Sequence, residues 1–126
     1  MAERVDTRRI LALRTLPIFR DVPAPVVAGA AKLMHEKKFE RGELVQEKDT
    51  VVPRILILPA GKVAIDRDGK TMEIKGPAYL GLYYALSGVA ADARVTALTE
   101  LKMFVLDAAD LFDLFEDHFP ILRSSI

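Results

Sequence analysis

Two runs, Lys62-Val63-Ala64-Ile65-Asp66-Arg67 and Lys70-Thr71-Met72-Glu73-Ile74-Lys75, flank the dipeptide Asp68-Gly69. That pair favours a two-residue turn, in which both positions need positive φ. The turn fixes the register of the strands it joins. Ile65 faces Met72 and Val63 faces Ile74 on one side, while Asp66 faces Thr71 and Ala64 faces Glu73 on the other. One side is wholly apolar, so the register is self-consistent, and an antiparallel sheet with a buried face is predicted here.

The rest of the chain fits around this hairpin. Asp6 or Thr7 can cap a short helix through Leu16, with Ile10, Leu13 and Leu16 or Pro17 on one side and Arg8, Arg9 and Arg14 on the other. Pro17 stops it, and Ile18 and Phe19 read as apolar plugs. A second helix starts near Pro25 and carries Val26, Val27, Ala30, Leu33 and Met34. From Glu36 the period shortens: Lys37–Glu40 and Leu44–Gln46 are short strands around a turn at Arg41-Gly42-Glu43. Arg54–Leu58 is apolar on both parities, as expected of a strand covered on both faces. Gly76-Pro77 breaks the hairpin's second strand, Tyr79-Leu80-Gly81 follows, and Leu82–Ser87 can make one helical turn. Arg94–Thr99 and Leu101–Leu106 are two more strands. Asp107 caps a last helix, with Asp110 three residues on, a buried stripe of Leu111, Phe112, Leu114 and Phe115, and an end at Pro120.

Helices, then seven or eight short strands, then a helix describe one mainly β domain over residues 1–126, a β-roll or jelly roll: helical 1–35, roll 36–106, helical 107–126. Composition removes several function classes. With 18 basic and 18 acidic residues, there is no cationic surplus to displace counterions from nucleic acid. Cysteine is absent, which excludes disulfides, thiolate metal sites and thiol nucleophiles. No apolar run, Ile55–Ala60 included, approaches the roughly 20 residues that span a bilayer, and Met1–Arg4 leads into no signal-peptide core. A cytoplasmic protein is expected, without membrane contact. Basic residues gather at the start (Arg4, Arg8, Arg9, Arg14, Arg20) and acidic ones at the end (Asp107, Asp110, Asp113, Glu116, Asp117). These are either two solvated faces or ends that pair, within one chain or across a dimer.

The order of fragments resembles the cyclic nucleotide-binding domain. It runs through Leu16-Pro17-Ile18-Phe19, Phe39-Glu40-Arg41-Gly42-Glu43 with Asp49, Ile55–Val63, Tyr79-Leu80-Gly81, Val95–Glu100, Leu111-Phe112 and Phe119-Pro120. The resemblance implies an eight-stranded β-roll flanked by helices. It also implies a phosphate cassette that opens Phe-Gly-Glu, whose glutamate takes the ribose hydroxyl, and that ends in an arginine on the cyclic phosphate. Counted from Gly81, those two positions hold Leu82 and Ala91. An unpaired buried hydroxyl costs about 1–3 kcal/mol, and a lost charge-assisted phosphate contact at least as much. Tight binding of cyclic AMP or GMP is therefore not expected.

The candidate site comprises Gly81, Leu82, Tyr83, Tyr84, Ala85, Ala91, Asp92, Ala93 and Arg94. Either it collapses into core, or Tyr83 and Tyr84 present a surface to a protein partner or another ligand. Backbone N–H groups at Leu82–Ala85 offer a weak anion site, and Arg94 is read as a surface strand residue. His35 and His118 are not read as ligands, and Asp110, Asp113 and Asp117 read as a solvated face rather than a metal site. No nucleophile stands beside a base, and the glycines are too dispersed for a phosphate loop, so no enzyme, cofactor or metal is expected. The chain also lacks the residues for a winged helix-turn-helix or a long dimerisation helix, so DNA binding by this chain alone is not expected. The resulting expectation is a non-catalytic regulatory or interaction module, with a protein partner or a parent chain as its context and a homodimer as a further possibility. The alternatives are a sensor of an altered nucleotide or other metabolite, or a structural assembly domain.

Overall fold

Arg54–Leu58 (β3) is buried at four consecutive positions, because its two parities serve two different cores. Ile55 and Ile57 point to a layer of helices, and Leu56 and Leu58 point into the roll. The computed structural model describes residues 7–51 and 53–118. Its other strands are β1 His35–Phe39, β2 Leu44–Gln46, β4 Lys62–Arg67, β5 Lys70–Lys75, β6 Ala78–Leu80, β7 Arg94–Ala97 and β8 Leu101–Asp107. The helices are α1 Thr7–Leu13, α2 Ala24–Leu33, α3 Leu82–Ser87 and α4 Ala108–His118. The strands form two four-stranded antiparallel sheets, in the orders β1-β8-β3-β6 and β2-β7-β4-β5. The mainly β, eight-stranded roll with flanking helices follows the expected fold class.

The hairpin pairs as its turn dictates: Val63 opposite Ile74, Ile65 opposite Met72, Ala64 opposite Glu73. Asp68 has φ 51° and Gly69 φ 76°, the two positive values that the turn requires. Its apolar side is covered unevenly, since Val63 is buried while Met72, nearer the turn, is 53% exposed.

Between the sheets lies one core of Phe39, Leu56, Leu58, Val63, Val95, Ala97, Leu101, Met103 and Val105. On the outer face of the β1-β8-β3-β6 sheet lies the other, where α1, the 3-10 turn after it, α2 and α4 bring Leu13, Leu16, Phe19, Val27, Ala30 and Leu111 onto Ile55, Ile57, Phe104 and Leu106. Several predicted boundaries move: the first strand of the roll covers His35–Phe39 rather than Lys37–Glu40, the last runs to Asp107 rather than Leu106, and two further shifts have a visible cause. The first helix ends at Leu13 rather than Leu16: the Thr15 and Leu16 N–H groups donate to Ala12 and Leu13, tightening the last turn, and Leu16 before Pro17 is extended at φ −77°, ψ 129°. The strand predicted over Arg94–Thr99 ends at Ala97, because Leu98 leaves the ladder to donate to Lys62 O at 2.9 Å.

The amino-terminal arginines do not form a simple solvated face. Arg9 Nη1 donates to the carbonyls of Ala31 (3.2 Å) and Met34, closing the carboxyl end of α2, and its guanidinium lies 5.4 Å from the centre of the Phe104 ring. Arg14 Nη1 donates to Phe19, Arg20 and Val22 carbonyls and holds the 3-10 turn Pro17–Phe19. The Asp6 cap, the Pro120 stop and the Phe119-Pro120 fragment lie outside the described residues. Among the described residues, no helix is long and apolar enough to cross a membrane.

Candidate ligand and partner site

Gly81 joins β6 to α3 at φ 83°, and a side chain there would place its Cβ 3.1 Å from Arg54 O. This close approach lays α3 on β3. Ala85 turns inward and is buried with the helical core, and Leu82 packs half-buried against that core. The opposite side of α3 and the segment after it face solvent: Tyr83 is 67% exposed, Val89 49% and Leu86 44%. Tyr83 and Tyr84 meet edge to face with centroids 5.6 Å apart.

A cleft of about 250 Å³ opens between α3 and the strands. Gly81, Leu82, Tyr83, Tyr84 and Ala93 line it, as do Gln46, Ile65, Arg67, Tyr79, Leu80 and Val95. The segment has therefore not collapsed entirely into core. Ala91 has: it is 1% exposed, its N–H donates to Thr50 O at 2.8 Å, and its carbonyl accepts from Asp49 N–H at 2.7 Å.

A three-residue polar cluster closes one side of the cleft. Tyr84 Oη donates to Asp92 Oδ1, Arg67 Nε donates to the same oxygen at 3.0 Å, and Arg67 Nη2 donates to Tyr84 Oη at 3.3 Å. The Tyr84 hydroxyl first, and the Arg67 guanidinium with it, hold the Asp92 carboxyl below its ordinary range. Asp92 in turn raises the affinity of Arg67 for its proton. Arg94 points to the other face of β7 and donates through Nε to Glu47 Oε1 at 3.0 Å, as a surface strand residue does. Glu47 is held below its ordinary value by the Lys48 N–H and then by Arg94. The anion site expected at Leu82–Ala85 loses one of its donors, since Ala85 N–H is spent on Gly81 O at 2.8 Å.

The structure thus gathers Gly81–Tyr84, Asp92 and Ala93 at the cleft, sets Ala85 and Ala91 behind it, and turns Arg94 away. Sequence reasoning missed Arg67 and Gln46. Arg67 was within reach, because it shares the inward parity of Val63 and Ile65 on β4. Gln46 was hidden by a bulge: pairing between β2 and β7 slips between Leu44 and Gln46, and the amide turns inward. No group of three His, Cys, Asp or Glu among the described residues is placed to hold a metal ion.

No family model matches the chain, and no curated protein does. Solved structures do. One, described as Sp-2Cl-cAMPS bound to PKAR CBD2, superposes with a TM-score of 0.72 at 19% identity, over 93% of this chain and 83% of that one. With its two four-stranded sheets, its helical cover and the short α3 opening a cleft beside the roll, the chain has the fold of a cyclic nucleotide-binding domain.

Proposed function

We propose that this chain is a non-catalytic regulatory module that acts through a protein partner docked on α3 and the segment after it, and not through tight capture of cyclic AMP or GMP. The observation that carries this reading is the state of the cleft's cation. Arg67 is the one guanidinium lining the cleft among the described residues, and the Asp92 carboxylate already sits on it. An incoming phosphate would meet that negative charge, while Leu82 and the buried Ala91 supply neither an acceptor for a sugar hydroxyl nor a second cation. Meanwhile Tyr83 and Leu86 of α3 and Val89 just after it all expose apolar surface, with a tyrosine of the kind that anchors interfaces.

Two measurements test it. Calorimetric titration with cyclic AMP and cyclic GMP should give no saturable heat at micromolar concentration, and micromolar affinity for either would refute the reading. Tyr83→Ala combined with Val89→Ser should abolish capture of a partner by the tagged chain while the melting temperature stays within about 3 °C, as for exposed substitutions. Unfolding instead would show these side chains to be core.

The open volume of the cleft favours one second reading, a sensor of a small uncharged or weakly polar ligand lying between Leu80, Leu82 and Val95. Native mass spectrometry of the purified chain would reveal it as a co-purified mass.

A further inference from the structure

A second cavity, of about 220 Å³, opens between β1, β2, β3 and the β2–β3 connection, and it shares only Gln46 with the α3 cleft. β1 and β3 build it in the same way. Lys37 and Phe39 on β1, like Arg54 and Leu56 on β3, lie two residues apart and so on one side of their strand. In each pair the apolar residue is buried in the roll core, while the cationic one stays exposed at the rim. β8 runs between the two strands, so the cations flank the apolar floor from opposite sides. Val51, on the connection, adds an apolar lining residue that is 61% exposed.

The charged groups of the lining are unequally committed. Glu47 Oε1 accepts from Arg94 Nε at 3.0 Å and from Lys48 N–H at 2.9 Å, and neither donor lines the cavity, so this carboxylate is balanced from outside. The Thr50 hydroxyl is spent on Glu47 O. Lys37 and Arg54, by contrast, have no ion-pair partner among the described residues. Asp107 stands opposite Arg54 in the β3–β8 ladder but makes no ion pair with it and does not line the cavity. Lys37 Nζ rests 5.1 Å from the centre of the Phe39 ring, which keeps its charge over the floor.

We infer that this cavity binds a small monocarboxylate with a compact apolar body, of the size of phenylacetate. The body packs on Phe39, Leu56 and Val51, and the carboxylate stays at the mouth, facing Lys37 and Arg54. An apolar cavity of about 150 Å³ already holds benzene, so this one has room for a ring and the carbon that carries the acid. A cation of the same shape would be repelled by both rim charges, and an uncharged analogue would gain nothing from either. No residue of α3 lines the site, which stands or falls independently of the partner surface proposed above.

The test is calorimetric titration of the full chain with phenylacetate, beside phenylacetamide, which lacks the charge, and acetate, which lacks the apolar body. Phenylacetate should saturate with Kd below about 1 mM, and both analogues should bind about tenfold more weakly or worse. Lys37→Met and Arg54→Met alter exposed residues, so the melting temperature should stay within about 3 °C. Each should weaken phenylacetate about threefold to fivefold, in the range of exposed ion pairs, and the two together about tenfold or more. A Kd for phenylacetate above about 1 mM, equal binding by either analogue, or undiminished binding by the double variant would each overturn the site.

Discussion

Gly76 and Gly69 both sit beside the hairpin, yet a methyl group added to each meets a different world. At Gly69 nothing lies within 4 Å, so the cost of alanine is only the φ of 76° that its turn demands. At Gly76 a Cβ would fall 2.7 Å from Leu58 O and 2.7 Å from Ala60 N, backbone atoms that cannot swing aside. Urea unfolding should therefore show Gly69→Ala losing about 1 kcal/mol and Gly76→Ala about 3 kcal/mol. Equal losses would mean that the backbone at Ala60 yields. The Asp92 carboxyl gives a second prediction at this scale. Its folded value lies below the ordinary aspartate value of 3.8, so the contribution it makes is present above that value and lost as pH falls through the depressed one. Tyr84→Phe removes the larger cause and should raise the Asp92 titration midpoint, followed by carboxyl NMR. The share owed to exposed Arg67 should shrink in 1 M salt. An unmoved midpoint in Tyr84→Phe would show that the hydroxyl does not reach Asp92 in solution.

Elements differ in how openly the sequence announces them, and the difference follows from where their partners lie. The β4–β5 register was legible because a two-residue turn allows one pairing and every contact is local. β3 was legible because burial on both faces leaves an unbroken apolar run. α3 was legible as a turn between glycines, Gly81 and Gly88, that both adopt positive φ. The cleft's polar cluster was not: Arg67 and Asp92 are 25 residues apart in sequence, and only the placement of β7 beside β4 joins them. Nor was Gln46, since a bulge breaks the alternation from which its direction would be read. α4 carries a prediction of its own. Leu111 is 1% exposed against the helical core, whereas its neighbour Phe112, grouped with it in the sequence stripe, is 46% exposed. Leu111→Ala should cost about 2–5 kcal/mol in denaturant unfolding, and Phe112→Ala about 0.5 kcal/mol or less. A reversal would place α4 a third of a turn away from its position here.

The whole molecule is two cores divided by one sheet. β3 and β8 send alternate side chains to each, so Ile57 and Phe104 belong with the helices while Leu58 and Met103 belong inside the roll. Packing errors should then remain on the side where they arise, because a shared sheet is held by its ladder and not by the side chains of either face alone. Val27 of α2 and Val63 of β4 test this, being 1% and 0% exposed in different cores with the β1-β8-β3-β6 sheet between them. Each valine truncated to alanine loses two methyl groups and leaves a small void, a cost of about 2 kcal/mol apiece. Both together should remain within the roughly 5–15 kcal/mol available to a domain. In a double-mutant cycle by urea unfolding, the two losses should add to within about 0.5 kcal/mol with an unchanged m value. A coupling above about 1 kcal/mol would mean that β3 and β8 move as a hinge between the cores. The α3 cleft, which rests on β3 from the helical side and on Ile65 and Val95 from the roll side, would then feel changes made in either.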